Sequence, residues 1–154
     1  MPGTQSKPLA NQIALVTGAS SGIGRAVAMG LARAGADVVV NFNANSRDAD
    51  AVVDAIKESG GKAISHGADV SDERAAREMF ERIRSELGLL DILVANAGLQ
   101  RDASISSMTI EQWRRVIDTN LTGQFLCARE AIADFRKKGV RPDVSRAAGK
   151  IICM

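Results

Sequence analysis

The segment Thr17-Gly18-Ala19-Ser20-Ser21-Gly22-Ile23-Gly24 lies between an apolar run, Ile13-Ala14-Leu15-Val16, and a helical pattern that opens near Ile23. Gly18 lets the chain turn tightly, Gly22 lets backbone approach an anion, and Gly24 permits close helix–strand packing. The following helix offers unpaired N–H groups and a partial positive charge at its first turn. A pyrophosphate suits that combination, so a dinucleotide is the ligand class implied. On this reading Gly18, Ser20, Ser21, Gly22, Ile23 and Gly24 hold the phosphates.

An acid about 20 residues beyond such a turn would bind the ribose 2′-OH and select NAD. Phe42 stands there instead, flanked by Asn41 and Asn43. Phe42 and Asn43 are therefore assigned to the ribose, where neither repels a 2′-phosphate. Ser46, Arg47 and Arg25 are candidates for holding one, although Arg47 serves equally well as a solvated helix-start residue. NADP or NAD is the implied cofactor, with NADP preferred.

The turn needs elements to position it. Short apolar runs at Ile13–Val16, Val38–Val40, Ala63–Ile64, Ile92–Val94 and Ile151–Cys153 read as buried strands. Helical patterns separate them. One runs from Ile23 to Ala34 and is stopped by Gly35, and a second carries Ala49, Val52, Val53 and Ile56 at i, i+3, i+4, i+7. A third has Ser71 as its expected N-cap, with Ala76, Met79, Phe80, Ile83 and Leu87 along its stripe. Thr109 with Gln112 forms a capping box ahead of Trp113 and Val116, and a further helix runs from about Gln124 to Lys137. Alternation of this kind predicts a doubly wound α/β fold with a parallel sheet covered on both faces. The predicted division is a flexible arm at 1–12 and a dinucleotide-binding domain at 13–154.

Composition excludes several classes. The 154 residues are 45% hydrophobic and 25% charged, and the formal charge is only +2, so no basic field gathers nucleic acid or an anionic membrane. Cys127 and Cys153 match no metal-ligand spacing, which fits a reduced, cytoplasmic protein. His66, the single histidine, has no ligand partners at metal spacing. No apolar window has the ~20 residues of a membrane helix.

The glycine spacing T-G-x-x-x-G-x-G, rather than G-x-G-x-x-G, resembles the short-chain dehydrogenase/reductase family. Asp69-Val70, after the third strand, resembles the segment whose acidic residue this family places beside adenine. Asn96-Ala97-Gly98 matches the last three positions of its N-N-A-G, with Ala95 in place of the first Asn. Asp118-Thr119-Asn120-Leu121 resembles the segment whose Asn, here Asn120, supports the catalytic proton relay. The stretches Val38 to Phe42 and Phe125 to Ile132 look most like the bacterial glucose 1-dehydrogenase branch, with 3-oxoacyl-carrier-protein reductases second.

The resemblance implies hydride transfer between a nicotinamide and an alcohol or carbonyl, with a sugar as the expected substrate class. It also implies a catalytic Ser and a Tyr-x-x-x-Lys pair, and this chain has no tyrosine. Because the pattern stops at Met154 inside a strand, the expectation is a truncated chain, inactive alone and open at its last strand. A non-catalytic binder of a dinucleotide or a protein partner on the same fold is the alternative. The last two helices, with Trp113, Val116, Phe125, Leu126 and Ile132, resemble the elements that build family tetramers, which predicts a homo-oligomer.

Overall fold

The computed structural model describes residues 7–154. The first part of the predicted arm, 1–6, lies outside the described residues. Strands β1 (Ile13–Val16), β2 (Asp37–Phe42), β3 (Lys62–Gly67), β4 (Ile92–Ala95) and β5 (Lys150–Cys153) form one parallel sheet in the order β3-β2-β1-β4-β5. Helices α1 (Gly22–Arg33), α2 (Ser46–Glu58), α3 (Glu73–Glu86), α4 (Ile110–Ile117) and α5 (Gly123–Lys138) connect or flank them. The doubly wound prediction holds.

Strand composition follows from burial on both faces. Ala14, Val16, Val38, Val40, Ile92 and Val94 point to the side of α1 and α2, while Leu15, Val39, Leu93 and Ala95 point to α3 and α5. In β1, β2 and β4 neither side meets water, so the period-2 alternation is apolar at both phases, while the edge strands β3 and β5 are more exposed. On the outer layers α1, α2, α3 and α5 bury one stripe each, for example Ala49, Val52, Val53 and Ile56 of α2, whereas α4 buries no residue fully. Shortening Leu15 to Ala in so closed a layer costs about 2–5 kcal/mol.

Two local expectations change. Residues 7–12 pack against the body rather than trailing free: the Leu9 N–H donates to Ala34 O at 2.9 Å, Leu9 packs on the core, and Gln12 is buried. Leu9 supplies the apolar surface that a composition of Pro, Lys and Asn conceals. The cap of α3 is Asp72, whose carboxylate accepts the Ala75 N–H at 2.8 Å, and not Ser71. Ser71 is drawn away to Asp69, whose Oδ1 accepts both its N–H (2.9 Å) and its hydroxyl (2.6 Å).

The order of the sheet reverses direction at β1, with β2 on one side and β4 on the other. In open α/β sheets a crevice forms outside the carboxyl ends of the strands at that point. The glycine turn leaves β1 there.

Candidate functional site

The carboxyl ends of β1, β2, β3 and β4 surround a cavity of about 800 Å³. The glycine turn contributes Gly18, Ser20 and Ser21, the end of β2 contributes residues 41–45, the exit of β3 residues 68–71, and the exit of β4 residues 96–99. Gly18 has φ +61°, and a Cβ there would come within 2.9 Å of the Ala97 Cα. Gly24, one turn into α1, is packed so closely that a Cβ would meet Gly18 O at 2.4 Å and Asn96 Nδ2 at 2.5 Å. Strand and helix can approach at this corner only without side chains.

Apart from α5, which continues the helical backbone of the preceding turn, only α1 begins without a side-chain cap. Asn45, Asp72 and Thr109 cap α2, α3 and α4 with side-chain hydrogen bonds, whereas Ser21 at α1 makes none. The first N–H groups of α1 are thus left for an external acceptor, as a pyrophosphate would supply.

Thr17 and Asn96 lock β1 to β4 beneath the turn. Thr17 Oγ1 accepts the N–H groups of Asn96 and Ala97, both at 2.9 Å, and Asn96 Nδ2 donates to Thr17 O (2.9 Å) and Gly18 O (3.2 Å). Asn120 holds the next segment: its Oδ1 accepts the Leu99 N–H at 2.9 Å and its Nδ2 donates to Leu99 O at 3.0 Å. It sits in a π-helical turn, Asp118–Thr122, that joins α4 to α5 without a break in helical backbone. Such widened turns concentrate at functional sites.

Of the residues assigned from the sequence, Gly18, Ser20, Ser21, Phe42, Asn43, Asp69, Val70, Asn96, Ala97 and Gly98 line the cavity. Gly22, Ile23 and Gly24, in the first turn of α1, do not line it, Gly22 and Ile23 being exposed and Gly24 buried, and Asn120 reaches it only through its bonds to Leu99. Arg25, Ser46 and Arg47 do not line it. Sequence reasoning missed Glu111, Arg114, Arg115 and Asp118 of the α4 wall. Their i, i+3, i+4, i+7 spacing is a polar stripe, a signal that was available, but nothing in spacing places that stripe opposite Phe42.

His66 Nε2 is buried without a hydrogen-bond partner. Burial, with Arg82 adding to it and Glu86 opposing, lowers the imidazole pKa. Burial, aided by Glu130, pushes the Cys127 thiol up to about 12, which leaves it protonated and inert, while Cys153 is exposed. Among the described residues no group of three His, Cys, Asp or Glu side chains is placed to hold a metal ion, and no helix is long and apolar enough to cross a membrane.

The sequence profile of the family described as short chain dehydrogenase matches residues 12–154. The chain belongs to the short-chain dehydrogenase family. Among curated members, a 3-oxoacyl-[acyl-carrier-protein] reductase of Synechocystis sp. is 46% identical over 121 residues, which is 79% of this chain and 49% of that protein. Glucose 1-dehydrogenase 2 of Bacillus subtilis is 38% identical over 139 residues, 90% of this chain and 54% of that protein. Among solved structures, a Burkholderia cenocepacia short chain dehydrogenase in complex with NADP superposes with a TM-score of 0.79 at 36% identity, covering 82% of this chain and 51% of that one. A Mycobacterium avium short chain dehydrogenase gives 0.82 at 34% identity, covering 93% and 51%. This short-chain dehydrogenase chain thus spans about half the length of the relatives it matches.

Proposed function

We propose that the chain forms the dinucleotide-binding part of a cytoplasmic NAD(P)-dependent oxidoreductase acting on an alcohol or carbonyl, with a sugar as the favoured substrate class. The observation that carries this reading is the uncapped start of α1 behind Gly18, opening into the crevice where the sheet order reverses. Membership of the family and an NADP-bound structural relative support it. The sugar rests on the likeness to a glucose 1-dehydrogenase, and the free thiols fit a reducing compartment.

In this reading the α1 N–H groups take the pyrophosphate, Asp69 and Val70 flank the adenine, and Phe42 with Asn43 flank its ribose. Asn96, Ala97 and Gly98 border the nicotinamide side, and Asn120 positions that border through Leu99. A bound nicotinamide would supply the hydride acceptor or donor. NADP is preferred because no carboxylate stands at Phe42–Asn43 and because Arg114 and Arg115 face the same cavity. With no tyrosine in these 154 residues, the proton-transfer step belongs to the whole protein and the chain by itself is inactive.

The whole protein is also proposed to be a homo-oligomer. Trp113 is 55% and Phe125 59% exposed, and Leu121 and Ile132 of the same helical stretch are exposed as well, apolar surface that suits a second copy. Leu126, expected on that surface, turns into the core instead. Calorimetric titration of the full-length gene product with NADPH and with NADH tests the main reading. Binding of NADPH at micromolar concentration is the expected result, and no heat with either nucleotide rejects it. Light scattering at micromolar concentration tests assembly, which a single-subunit mass would refute.

A further inference from the structure

Asn41 is 1% exposed at the end of β2, a place where the neighbouring strand residues are valines. Its amide is fully used. Oδ1 accepts the Gly18 N–H at 3.2 Å, while Nδ2 faces Ala68 O at 3.1 Å and His66 O at 3.2 Å. Its own backbone carbonyl accepts the Ala19 N–H at 2.8 Å. One side chain therefore ties the turn that starts the phosphate site to the strand exit that leads into Asp69 and Val70.

We propose that Asn41 is a positioning residue that fixes the spacing between the pyrophosphate turn and the adenine floor, so that both halves of one dinucleotide bind at once. The inference rests on the dinucleotide reading above. A carboxylate at this position could accept from Gly18 but would oppose two carbonyl oxygens. A leucine of similar shape could do neither, and would leave the Gly18 N–H unpaired. Linked ligands gain affinity over their separate parts only when the two subsites are held at the matching distance. Asn41 is the group that holds it, because the contact runs through backbone atoms of both subsites rather than through either ligand half.

The test uses the full-length gene product and three probes, NADPH, adenosine monophosphate and inorganic pyrophosphate, titrated by calorimetry. In Asn41→Leu the affinity for NADPH should fall by about tenfold or more, while each small probe changes by less than about threefold, so the gain from linkage is lost. Equal losses for NADPH and adenosine monophosphate would mean that Asn41 only shapes the adenine pocket, and would overturn the proposal. Unchanged NADPH affinity would overturn it as well. Should Asn41→Leu not fold, Asn41→Asp decides the matter through pH. A protonated carboxyl both donates and accepts, so NADPH affinity relative to wild type should recover as pH falls from about 8 to about 5. A flat ratio refutes the role. Failure of the wild type to bind NADPH or NADH removes the dinucleotide reading itself, and this inference with it.

Discussion

At the amino ends of β1, β4 and β5 the chain is tied by ions, and at the carboxyl ends of β1, β2 and β4 it is tied by neutral amides. Asp91 accepts the Ile13 N–H at 2.9 Å and pairs with Lys138 and Arg141, while Lys150 reaches Gln12 and Ser145, both at 2.9 Å. Across the sheet the same task falls to Asn41, Asn96 and Asn120, each of which spends its amide on backbone groups of the next segment. Asp69, at the exit of β3, is turned onto Ser71. The difference has an electrostatic cause. An amide supplies donor and acceptor with no net charge, so it can lie under a phosphate without repelling or neutralising it.

The largest effect should come from breaking the charged end. Asp91→Ala leaves Lys138 buried without its partner, and such an orphan costs about 3–5 kcal/mol. Urea unfolding midpoints measure it, and a loss below about 1 kcal/mol would show that ions do not hold this end. Below the midpoint, dinucleotide affinity should stay at the wild-type level.

Importing charge to the other end should do the reverse. In Asn96→Asp the donors to Thr17 O and Gly18 O vanish and a carboxylate faces both oxygens. Stability should fall by about 2–3 kcal/mol, and affinity for NADPH by tenfold or more, about 1.4 kcal/mol. Titrations made where the variant is fully folded separate the two losses. Intact affinity in the folded variant would show that charge at the carboxyl end is harmless.

How much of this was legible in the sequence differs between the two ends. The strands and their order of appearance could be read because Val38, Val39 and Val40 are apolar at both phases, and the glycine turn could be read because its spacing is local. The amide network could not. Asn41 and Gly18 lie 23 residues apart, and Asn96 and Thr17 lie 79 apart, so their pairing depends on strand register rather than on any short pattern. The α4 wall was hidden for the same reason: Arg114 and Arg115 look like ordinary solvated residues until the crossover brings them over the crevice. Leu126 turns inward because one residue rotates an α-helix by about 100°, which carries it off the exposed face of Phe125 and Ile132 and onto the buried one of Cys127 and Ala131.

Phe42→Asp places a charge at the half-buried rim of the amide-tied end rather than beneath it. The expected cost to NADP binding is about 1–2 kcal/mol, through repulsion of the 2′-phosphate. NAD should gain a hydrogen bond at its 2′-OH. The ratio of kcat/KM for NADP over NAD in the full-length enzyme, before and after the change, reads this directly. A ratio that does not move would remove residue 42 from the ribose.

The smallest effect concerns His66, whose carbonyl receives the Asn41 amide while its ring nitrogen is buried with no partner. Burial is the main cause of its lowered pKa, Arg82 of α3 adds to it, and Glu86 works against both. In the folded state the neutral ring is therefore favoured more than in the unfolded chain. That preference contributes stability in full above the ordinary histidine value of about 6.5 and is lost as pH falls through that value towards the folded-state one. His66→Gln cannot titrate, so the difference in urea midpoint between wild type and variant should move against wild type on going from about pH 8 to about pH 5. Carboxylates elsewhere contribute equally to both proteins and cancel. A constant difference would mean that this ring charges as freely as in water, and that the desolvation felt under the amide ties does not extend to it.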